Sequence, residues 1–286
     1  MLPSPGVHAG NEPVPGGTHV LSITAGKESG PFGQLAGVVY DASRQRLYVC
    51  DTLQNRILAF GPDFAFLSEF DGGGALDGPT ALARDGKGRF FVAEPRRQRV
   101  VMIDMAAKAI HPLEWPEGGN PVYPSAVAVD EAGRLYVADR ANARILIFDP
   151  AMRFERAVSL AGVRSLDGVA VGPQGQIYAA CAADGVVLAL DADGTVRQRF
   201  GGRDAARGAL RFPVAVAVDG HGMIHVLDRH LGMVLIYGEN GAFLRSVGRP
   251  GWREGRLRAP SHLAVTVSGR VFVVDTQNAR VSVFEQ

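Results

Sequence analysis

The chain has 286 residues, is 47% apolar, carries a formal net charge of +1 and contains two cysteines. A net charge so close to zero excludes a global electrostatic attraction to nucleic acid or membranes, so any such attraction has to come from a local patch. The two cysteines, Cys50 and Cys181, exclude a disulfide framework. No stretch reaches the roughly 18–20 apolar residues of a membrane-spanning helix.

The chain begins with a segment rich in proline and glycine, residues 1–18, which lacks the apolar core of a signal peptide. We therefore expect a cytoplasmic protein if Met1 is the native start, and a secreted one if a leader has been removed. The next six residues, His19–Thr24, have the pattern of an isolated β-strand. A single domain is expected to occupy residues 19–286.

From about residue 37 onward, one pattern recurs six times. It is clearest in Leu47–Asp51, Leu135–Asp139 and Val271–Asp275, where an apolar strand ends in aspartate and an Asn-x-Arg loop follows. The residues at the aspartate position, called anchors here, are Asp51, Glu94, Asp139, Cys181, Asp228 and Asp275. Successive anchors lie 42–47 residues apart, a period typical of a radial array of four-stranded units.

The third repeat predicts where its four strands lie. Ala126–Val129 is a run of small and β-branched residues typical of an inner strand, and Gly133 supplies the positive φ of a tight turn. Leu135–Ala138, Arg144–Phe148 and Phe154–Leu160 follow as the second, third and outer strands. Each repeat is therefore predicted to form one antiparallel four-stranded blade.

The first strands of the six blades are predicted to surround a central channel. They begin near Gly37, Ala81, Ala126, Gly168, Ala215 and His262. Five of these six residues are glycine or alanine, as expected where strands crowd together.

The sixth repeat ends at Phe284, after its third strand, and His19–Thr24 is the obvious donor of the missing outer strand. Such pairing would close the ring and remove its exposed edges. The sequence thus predicts an all-β fold, a six-bladed β-propeller of four-stranded antiparallel blades closed by the N-terminal strand.

These motifs resemble the NHL-repeat family of β-propellers. The matching features are the Pro-x-small-Val-Ala-Val-Asp first strand, the Gly-x-Leu-Tyr-Val-Ala-Asp second strand and the Asn-x-Arg-Ile loop exit. The resemblance covers roughly residues 19–286 and implies a six-bladed ring, while the family includes both binding modules and enzymes. Blade four departs most, because residues 181–186 contain neither the anchor aspartate nor the arginine.

The recurrent Asp…Asn-x-Arg loop is interpreted as structural. An aspartate at a strand end can accept backbone N–H groups of the following turn, and an arginine five residues later can pair with it. Catalytic sites are usually single, whereas this feature recurs around the ring.

One hypothesis for function is an enzyme, a metal-dependent lyase or lactonase, at the mouth of the channel. The candidate residues are Asp167, His262 and Tyr123. Resemblance to amidating lyases implies zinc at channel histidines, and resemblance to gluconolactonase-type propellers implies an aspartate that ligates a metal, such as calcium. Metal sites need several ligands. On the other blades, the positions equivalent to Asp167 are Ala36, Thr80, Ser125, Val214 and Ser261. We therefore expect no cofactor, with calcium or zinc at the channel mouth as the alternative.

The other hypothesis, which we favour, is a non-catalytic scaffold that presents a basic loop face to a partner. The loops that precede blades five and six contribute Arg203, Arg207, Arg211, Trp252, Arg253, Arg256 and Arg258. Blades two and three add further arginines to the same predicted face. Arginine beside tryptophan suits carboxylate, phosphate or stacked-base recognition. A protein is the expected partner, with nucleic acid or another polyanion as the alternative.

Overall fold

The computed structural model describes residues 16–107, 109–116 and 118–286, and these residues are almost entirely β-strand and turn. The first three blades comprise β2 (Leu35–Asp41), β3 (Arg46–Asp51), β4 (Arg56–Phe60), β5 (Phe66–Phe70), β6 (Ala81–Arg84), β7 (Phe90–Glu94), β8 (Arg99–Asp104), β9 (Ala109–Pro112), β10 (Pro124–Val129), β11 (Leu135–Asp139), β12 (Arg144–Phe148) and β13 (Phe154–Ser159). Blades four to six comprise β14 (Gly168–Val171), β15 (Ile177–Cys181), β16 (Val186–Leu190), β17 (Val196–Phe200), β18 (Pro213–Val218), β19 (Ile224–Asp228), β20 (Met233–Tyr237), β21 (Phe243–Val247), β24 (His262–Val265), β25 (Val271–Asp275), β26 (Arg280–Glu285) and β1 (Thr18–Ile23). A two-residue pair, β22 (Arg249–Pro250) and β23 (Arg256–Leu257), lies between blades five and six, and short 3₁₀ turns span Pro95–Arg97 and Thr276–Asn278.

Each blade is an antiparallel sheet whose four strands we label A to D from the channel outward. In blades one to five the strands follow sequence order, as in β10-β11-β12-β13. The loops from strand D to the next strand A and from strand B to strand C emerge on one face, called the DA–BC face. The AB and CD turns emerge on the opposite face. The predicted six blades of four antiparallel strands are confirmed.

The sixth blade is completed by the first strand of the chain. Its strand order is β1-β26-β25-β24, and β1 pairs antiparallel with β26 from Thr18 opposite Glu285 to Ile23 opposite Val281. Ile23 is buried in the core between blades six and one. The strand begins one residue before the predicted boundary at His19, while residues 1–15 of the predicted extension lie outside the described residues.

The inner strands contain small residues because they approach one another closely around the channel. A Cβ atom on Gly37 would lie 2.7 Å from the Cα of Ala81, and one on Gly168 would lie 2.9 Å from the Cα of Ala215. Cβ atoms do not approach backbone that closely, so glycine is required at both positions. Three A strands, in blades one, three and five, begin two residues earlier than predicted, and each has a β-bulge there.

The hydrophobic core is divided among the interfaces between neighbouring blades. Aromatic pairs mark several of them: the rings of Tyr48 and Phe90 lie 4.7 Å apart between blades one and two, and those of Tyr40 and Phe272 lie 5.2 Å apart between blades one and six. The second and third strands of the blades are the most deeply buried elements. Within the described part of the chain, no helix is long and apolar enough to span a membrane.

The anchor carboxylates have the structural role that the sequence suggests, but with different main-chain partners. Asp51 accepts N–H bonds from Gly33 and Gln34 at 3.0 Å, and Arg56 donates to it at 3.2 Å. Gly33 and Gln34 precede strand A of the same blade, so the anchor mainly fixes the DA loop rather than the following turn. Asp228 also accepts main-chain N–H bonds of the following turn, from His230 and Leu231, whereas Asp139 and Asp275 bind that turn through the side chains of Asn142 and Asn278.

In blade four, a carboxylate just before strand A takes the place of the missing anchor at the end of strand B. Cys181 is buried and unbridged where the other blades have Asp or Glu. Asp167, just before β14, accepts the N–H of Ala182 at 2.9 Å and the hydroxyl of Ser165 at 2.7 Å. The loop is therefore fixed by a carboxylate in this blade as well.

Removing β1 tests the closure of the ring. Deleting residues 1–25 is expected to lower the free energy of unfolding by at least about 3 kcal/mol, because buried side chains such as Ile23 each contribute about 1.5–3 kcal/mol. The exposed edge of β26 should also promote aggregation. Denaturant unfolding and light scattering measure both effects. Deleting only residues 1–15, which spares β1, is the control, and equal stability of the two truncated chains would contradict the role of β1.

Asp139→Ala tests the anchors. Asp139 is fully buried and accepts bonds from Tyr123 N, Asn142 Nδ2 and Arg144 Nε. Its loss leaves these donors and one guanidinium without their acceptor, so we expect a cost of about 2–4 kcal/mol in urea unfolding. Asp149→Ala, which removes the partner of the exposed Arg153 in a CD turn, should cost about 1 kcal/mol or less. Equal costs would show that burial of the anchor is unimportant.

Candidate functional site

The channel is too narrow to hold a substrate. The cavity inside it has a volume of about 60 Å³ and is lined by A-strand residues, mostly valine, alanine, leucine and glycine. Such a volume admits a few water molecules. Any chemistry on this axis has to occur at the mouth of the channel rather than within it.

Arg140, in the BC loop of blade three, pairs with one of the three predicted channel-mouth residues and acts electrostatically on a second. Arg140 Nη2 lies 2.9 Å from Asp167 Oδ1. The charge of Arg140 also acts on His262, whose pKa is lowered to about 4 by burial and by this guanidinium. His262 Nδ1 is buried and has no hydrogen-bond partner among the described residues. His262 is thus neutral at pH 7.

The third predicted residue, Tyr123, lies in the DA loop of blade three. The residue is 40% exposed, its N–H donates to Asp139 Oδ1, and its carbonyl oxygen accepts the N–H of Arg140. The backbone of Tyr123 therefore helps to position Arg140, whereas its ring is available to solvent.

The residues at the channel mouth do not fit a zinc or calcium site. The Asp167 carboxylate already accepts bonds from Ala182 N and Ser165 Oγ and pairs with Arg140. The structure gathers no group of three or more His, Cys, Asp or Glu side chains suited to a metal in residues 16–107, 109–116 and 118–286. One histidine and one engaged carboxylate supply too few ligands.

The DA–BC face is basic on one side of the ring only. In blades two and three its arginines have carboxylate partners: Arg97 pairs with Asp77 at 2.7 Å, and Arg144 with Asp139 at 2.8 Å. The Arg99–Glu94 and Arg140–Asp167 pairs follow the same rule. The predicted contribution of blades two and three to a basic face is therefore largely neutralised.

The arginines of the loops before blades five and six are exposed, and none forms a salt bridge with a described residue. They are Arg203, Arg207, Arg211, Arg249, Arg253, Arg256 and Arg258. The acidic neighbours Asp204 and Glu254 are exposed and form no salt bridge with the described arginines either. The positive charge of the seven arginines is therefore available to a binding partner.

The loop before blade six, residues 249–258, is held in one conformation by its neighbours. Arg280 Nη2 donates to the carbonyl oxygens of Arg253 and Arg256, both at 2.7 Å. Asn278 Nδ2 donates to the Gly251 carbonyl oxygen at 3.1 Å, and β22 pairs with β23. These bonds fix the loop that carries Trp252.

Trp252 lies at the tip of this loop with 70% of its surface exposed. The guanidinium of Arg253 lies 5.4 Å from the centre of its ring, a cation–π arrangement. A large aromatic side chain that is exposed on a fixed loop is typical of a binding surface.

The basic loops are continuous with the BC loop of blade five. The Arg229 N–H donates to the Phe212 carbonyl oxygen at 3.0 Å, and the rings of Phe212 and His230 stack 4.5 Å apart. A Cβ atom on Gly232 would lie 2.9 Å from the Cα of Pro250. We call Arg203, Arg207, Arg211, Arg229, Arg249, Trp252, Arg253, Arg256 and Arg258 the basic surface.

Sequence reasoning missed a second row of carboxylates, on the opposite face. Asp41 is the last residue of its A strand, and Asp85, Asp130 and Asp219 directly follow theirs. Their carboxylates bind the AB turn or a nearby basic or hydroxyl group. His225, which is fully buried, lies 3.0 Å from Asp219 through Nε2. The recurrence of aspartate after these strands is the signal that would have revealed the row.

Comparison with known proteins agrees with this geometry. The NHL repeat family model matches residues 122–148, in blade three. A search of curated protein sequences found no match.

Among solved structures, the chain is similar to a streptogramin B lyase, with a TM-score of 0.67 and 10% identity over 93% of this chain and 96% of the other. It is also similar to a gluconolactonase from Xanthomonas campestris, with a TM-score of 0.69 and 16% identity over 97% and 98% of the two chains. A WD40 β-propeller domain gives a TM-score of 0.65 and 15% identity over 88% and 79%. At such identities these likenesses establish the fold alone, and the protein is a six-bladed β-propeller whose third blade matches the NHL repeat.

Proposed function

We propose that this protein is a non-catalytic binding propeller whose basic surface holds an acidic segment of a partner protein. The observation that carries this proposal is Trp252, exposed at the tip of a fixed loop and flanked by arginines without carboxylate partners. Loops on a rigid scaffold commonly carry recognition.

The chemistry of the basic surface favours carboxylate groups in an extended acidic segment. Guanidinium groups match carboxylates in a two-point geometry. Those of Arg253, Arg256 and Arg258 form no salt bridge with a carboxylate of the described residues. Trp252 adds a flat apolar surface against which the stem of a bound side chain can pack. An aromatic residue surrounded by arginines has the composition of an interface centre.

Preorganisation supports binding further. The bonds from Arg280 and Asn278 hold the loop backbone in the absence of a partner. Ordering a loop on association costs free energy, so a loop that is already ordered binds more tightly for the same contacts. The same rigidity does not by itself provide catalysis.

The arginines are tested by replacing Arg253, Arg256 and Arg258 with alanine and measuring the fluorescence anisotropy of a labelled oligoglutamate peptide. We expect at least about tenfold weaker binding and a smaller dependence on salt, because exposed charges are screened within about 10 Å at 0.1 M. The stability of the variant should change by no more than about 0.5 kcal/mol per residue. Trp252→Ala should also weaken binding but leave the salt dependence unchanged.

The matched control removes the same charge elsewhere. Arg46, Arg153 and Arg245 are exposed. Arg46 is the first residue of strand B of blade one, Arg153 lies in a CD turn, and Arg245 lies on an outer strand. Their triple alanine variant should bind the peptide as the parent protein does. An equal loss of peptide binding in both triple variants would show that only the net charge matters. That result would contradict a specific binding surface. Preference for single-stranded DNA of equal charge over the peptide would identify a nucleic acid as the partner instead.

A second candidate is acid–base chemistry on a small molecule at the channel mouth. The observation that favours it is the buried, unpartnered Nδ1 of His262 beside the Arg140–Asp167 pair. A neutral imidazole can accept a proton, and an arginine can hold an anionic group. One of the similar structures is a catalytically inactive His-to-Ala variant of virginiamycin B lyase from Staphylococcus aureus with quinupristin, at 10% identity.

The charge state of His262 predicts how stability depends on pH. Its pKa is lowered from 6.5 to about 4 by burial and by Arg140, so the unfolded chain binds the extra proton first. The stabilising contribution is complete above pH 6.5 and is lost as pH falls towards 4, by up to about 3 kcal/mol. His262→Gln should lack this part of the pH dependence in thermal unfolding between pH 7 and pH 4. Parallel curves for the two proteins would contradict a neutral His262 with a buried Nδ1.

A further inference from the structure

A polar cavity of about 590 Å³ lies between blades four and five, on the face opposite the basic surface. It is lined by Gln176, Tyr178, Ala189, Leu190, Arg197, Gln198, Glu239 and Asn240. Its volume is within the usual range of ligand sites, roughly 300–1,000 Å³. Neither the predicted motifs nor the proposed function accounts for it.

The cavity arises where blade four departs from blade three. In blade three the hydroxyl of Tyr136 donates to Asp130 Oδ2 at 3.1 Å, and Arg134 pairs with Asp130 at 2.8 Å. The strand registers place Gly172 and Gln176 of blade four at the positions of Asp130 and Arg134. The carboxylate and its arginine partner are therefore both missing from blade four.

Further out along the blade, blade four also has more empty space than blade three. Tyr178 occupies the position of Tyr136, and Ala189 opposite it replaces the larger Ile147. Blade five also differs, because His225 occupies the tyrosine position and is bonded to Asp219. Among these three neighbouring blades, only blade four has lost the carboxylate at this position.

The hydroxyl of Tyr178 consequently has no hydrogen-bond partner among the described residues, although the side chain is almost completely buried. The hydroxyl oxygen is not one of the fully buried atoms that lack a partner, so it faces the cavity, where water or a ligand can accept its hydrogen bond. Burial and the nearby Glu239 carboxylate raise the pKa of Tyr178, which keeps the hydroxyl protonated and able to donate.

Apart from Ala189 and Leu190, the rest of the lining is polar and contains one cation and one carboxylate. Gln176 Nε2 donates to Glu239 Oε1 at 3.1 Å, and Gln198 Nε2 donates to the Asn240 carbonyl oxygen at 2.8 Å. The one cation, Arg197, lies 3.2 Å from Asp191. Amides, a hydroxyl and a carboxylate offer both donors and acceptors without a net charge that would select an ion.

We propose that this cavity binds a neutral polyhydroxylated molecule of the sugar class, with Tyr178 donating to a ligand hydroxyl and Glu239 accepting from another. A sugar hydroxyl both donates and accepts hydrogen bonds, and so matches a lining of amide, hydroxyl and carboxylate groups. The site lies among the AB and CD turns of blades four and five and is independent of the basic surface.

The experiment measures binding of neutral hexoses and disaccharides to the full chain by saturation-transfer NMR and calorimetry. At least one sugar should bind saturably to the parent protein. Tyr178→Phe should weaken that binding about tenfold, the equivalent of one lost hydrogen bond of about 1.4 kcal/mol. Tyr136→Phe is the matched control in blade three and should leave binding unchanged.

A second variant refills the cavity. Gly172→Asp restores the carboxylate of blade three, and the backbone at Gly172 does not have a positive φ that would disfavour aspartate. The new side chain would project towards Tyr178, since a Cβ atom at Gly172 lies 3.4 Å from Tyr178 Cε2 and 2.8 Å from the movable Gln176 Oε1. Sugar binding should be abolished and thermal stability retained or increased.

Three results would overturn the proposal. They are the absence of saturable binding by every sugar, an equal effect of Tyr178→Phe and Tyr136→Phe, and undiminished binding to a folded Gly172→Asp protein. If Gly172→Asp does not fold, the comparison of the two tyrosine variants still decides the question. Loss of peptide binding in the arginine variants has no bearing on the cavity, because the two sites lie on opposite faces.

Discussion

A buried carboxylate at the end of strand B is the interaction on which the loop face depends. Asp139 and Asp275 are fully buried, and each accepts a main-chain N–H group from the loop before strand A of its own blade. The cost of burying the charge is offset by the paired arginine and by several hydrogen bonds. Because the bond joins the second strand to the start of the first, it fixes the DA loop relative to the sheet. Arg144 and Arg280 are engaged in these ion pairs. They are therefore structural, in contrast to the arginines that are free to bind a partner.

The architecture was predictable because several independent features of the sequence indicate the same repeat. The 42–47-residue period, the small residues of the inner strands and the unpaired His19–Thr24 segment all agree on one closed ring. The details that escaped prediction are local. Bulges between strands A and B move the start of strand A in three blades. The partner of each anchor was misjudged, since the loop before strand A is distant in sequence and adjacent only in the folded blade.

The functional residues were less predictable than the fold. Sequence indicated an arginine-rich face, but it could not separate Arg97 and Arg144, which are paired, from Arg253 and Arg256, which are not. That distinction depends on which carboxylate lies within reach across a blade. The cavity beside Tyr178 arises from the absence of a carboxylate at Gly172 and of volume at Ala189. Such absences become visible only when the blades are aligned by their strand registers.

The strand exchange in blade six has a consequence for the order of folding. Blades one to five are each built from one continuous stretch of chain, so their internal contacts can form as soon as that stretch leaves the ribosome. β1 emerges first but has its partner, β26, more than 250 residues later. Its edge therefore stays unpaired until the sixth blade has been synthesised, and its docking is the most non-local strand pairing among the described residues. Ring closure is thus a late step, and the interval before it is the period in which association with another chain is the main hazard.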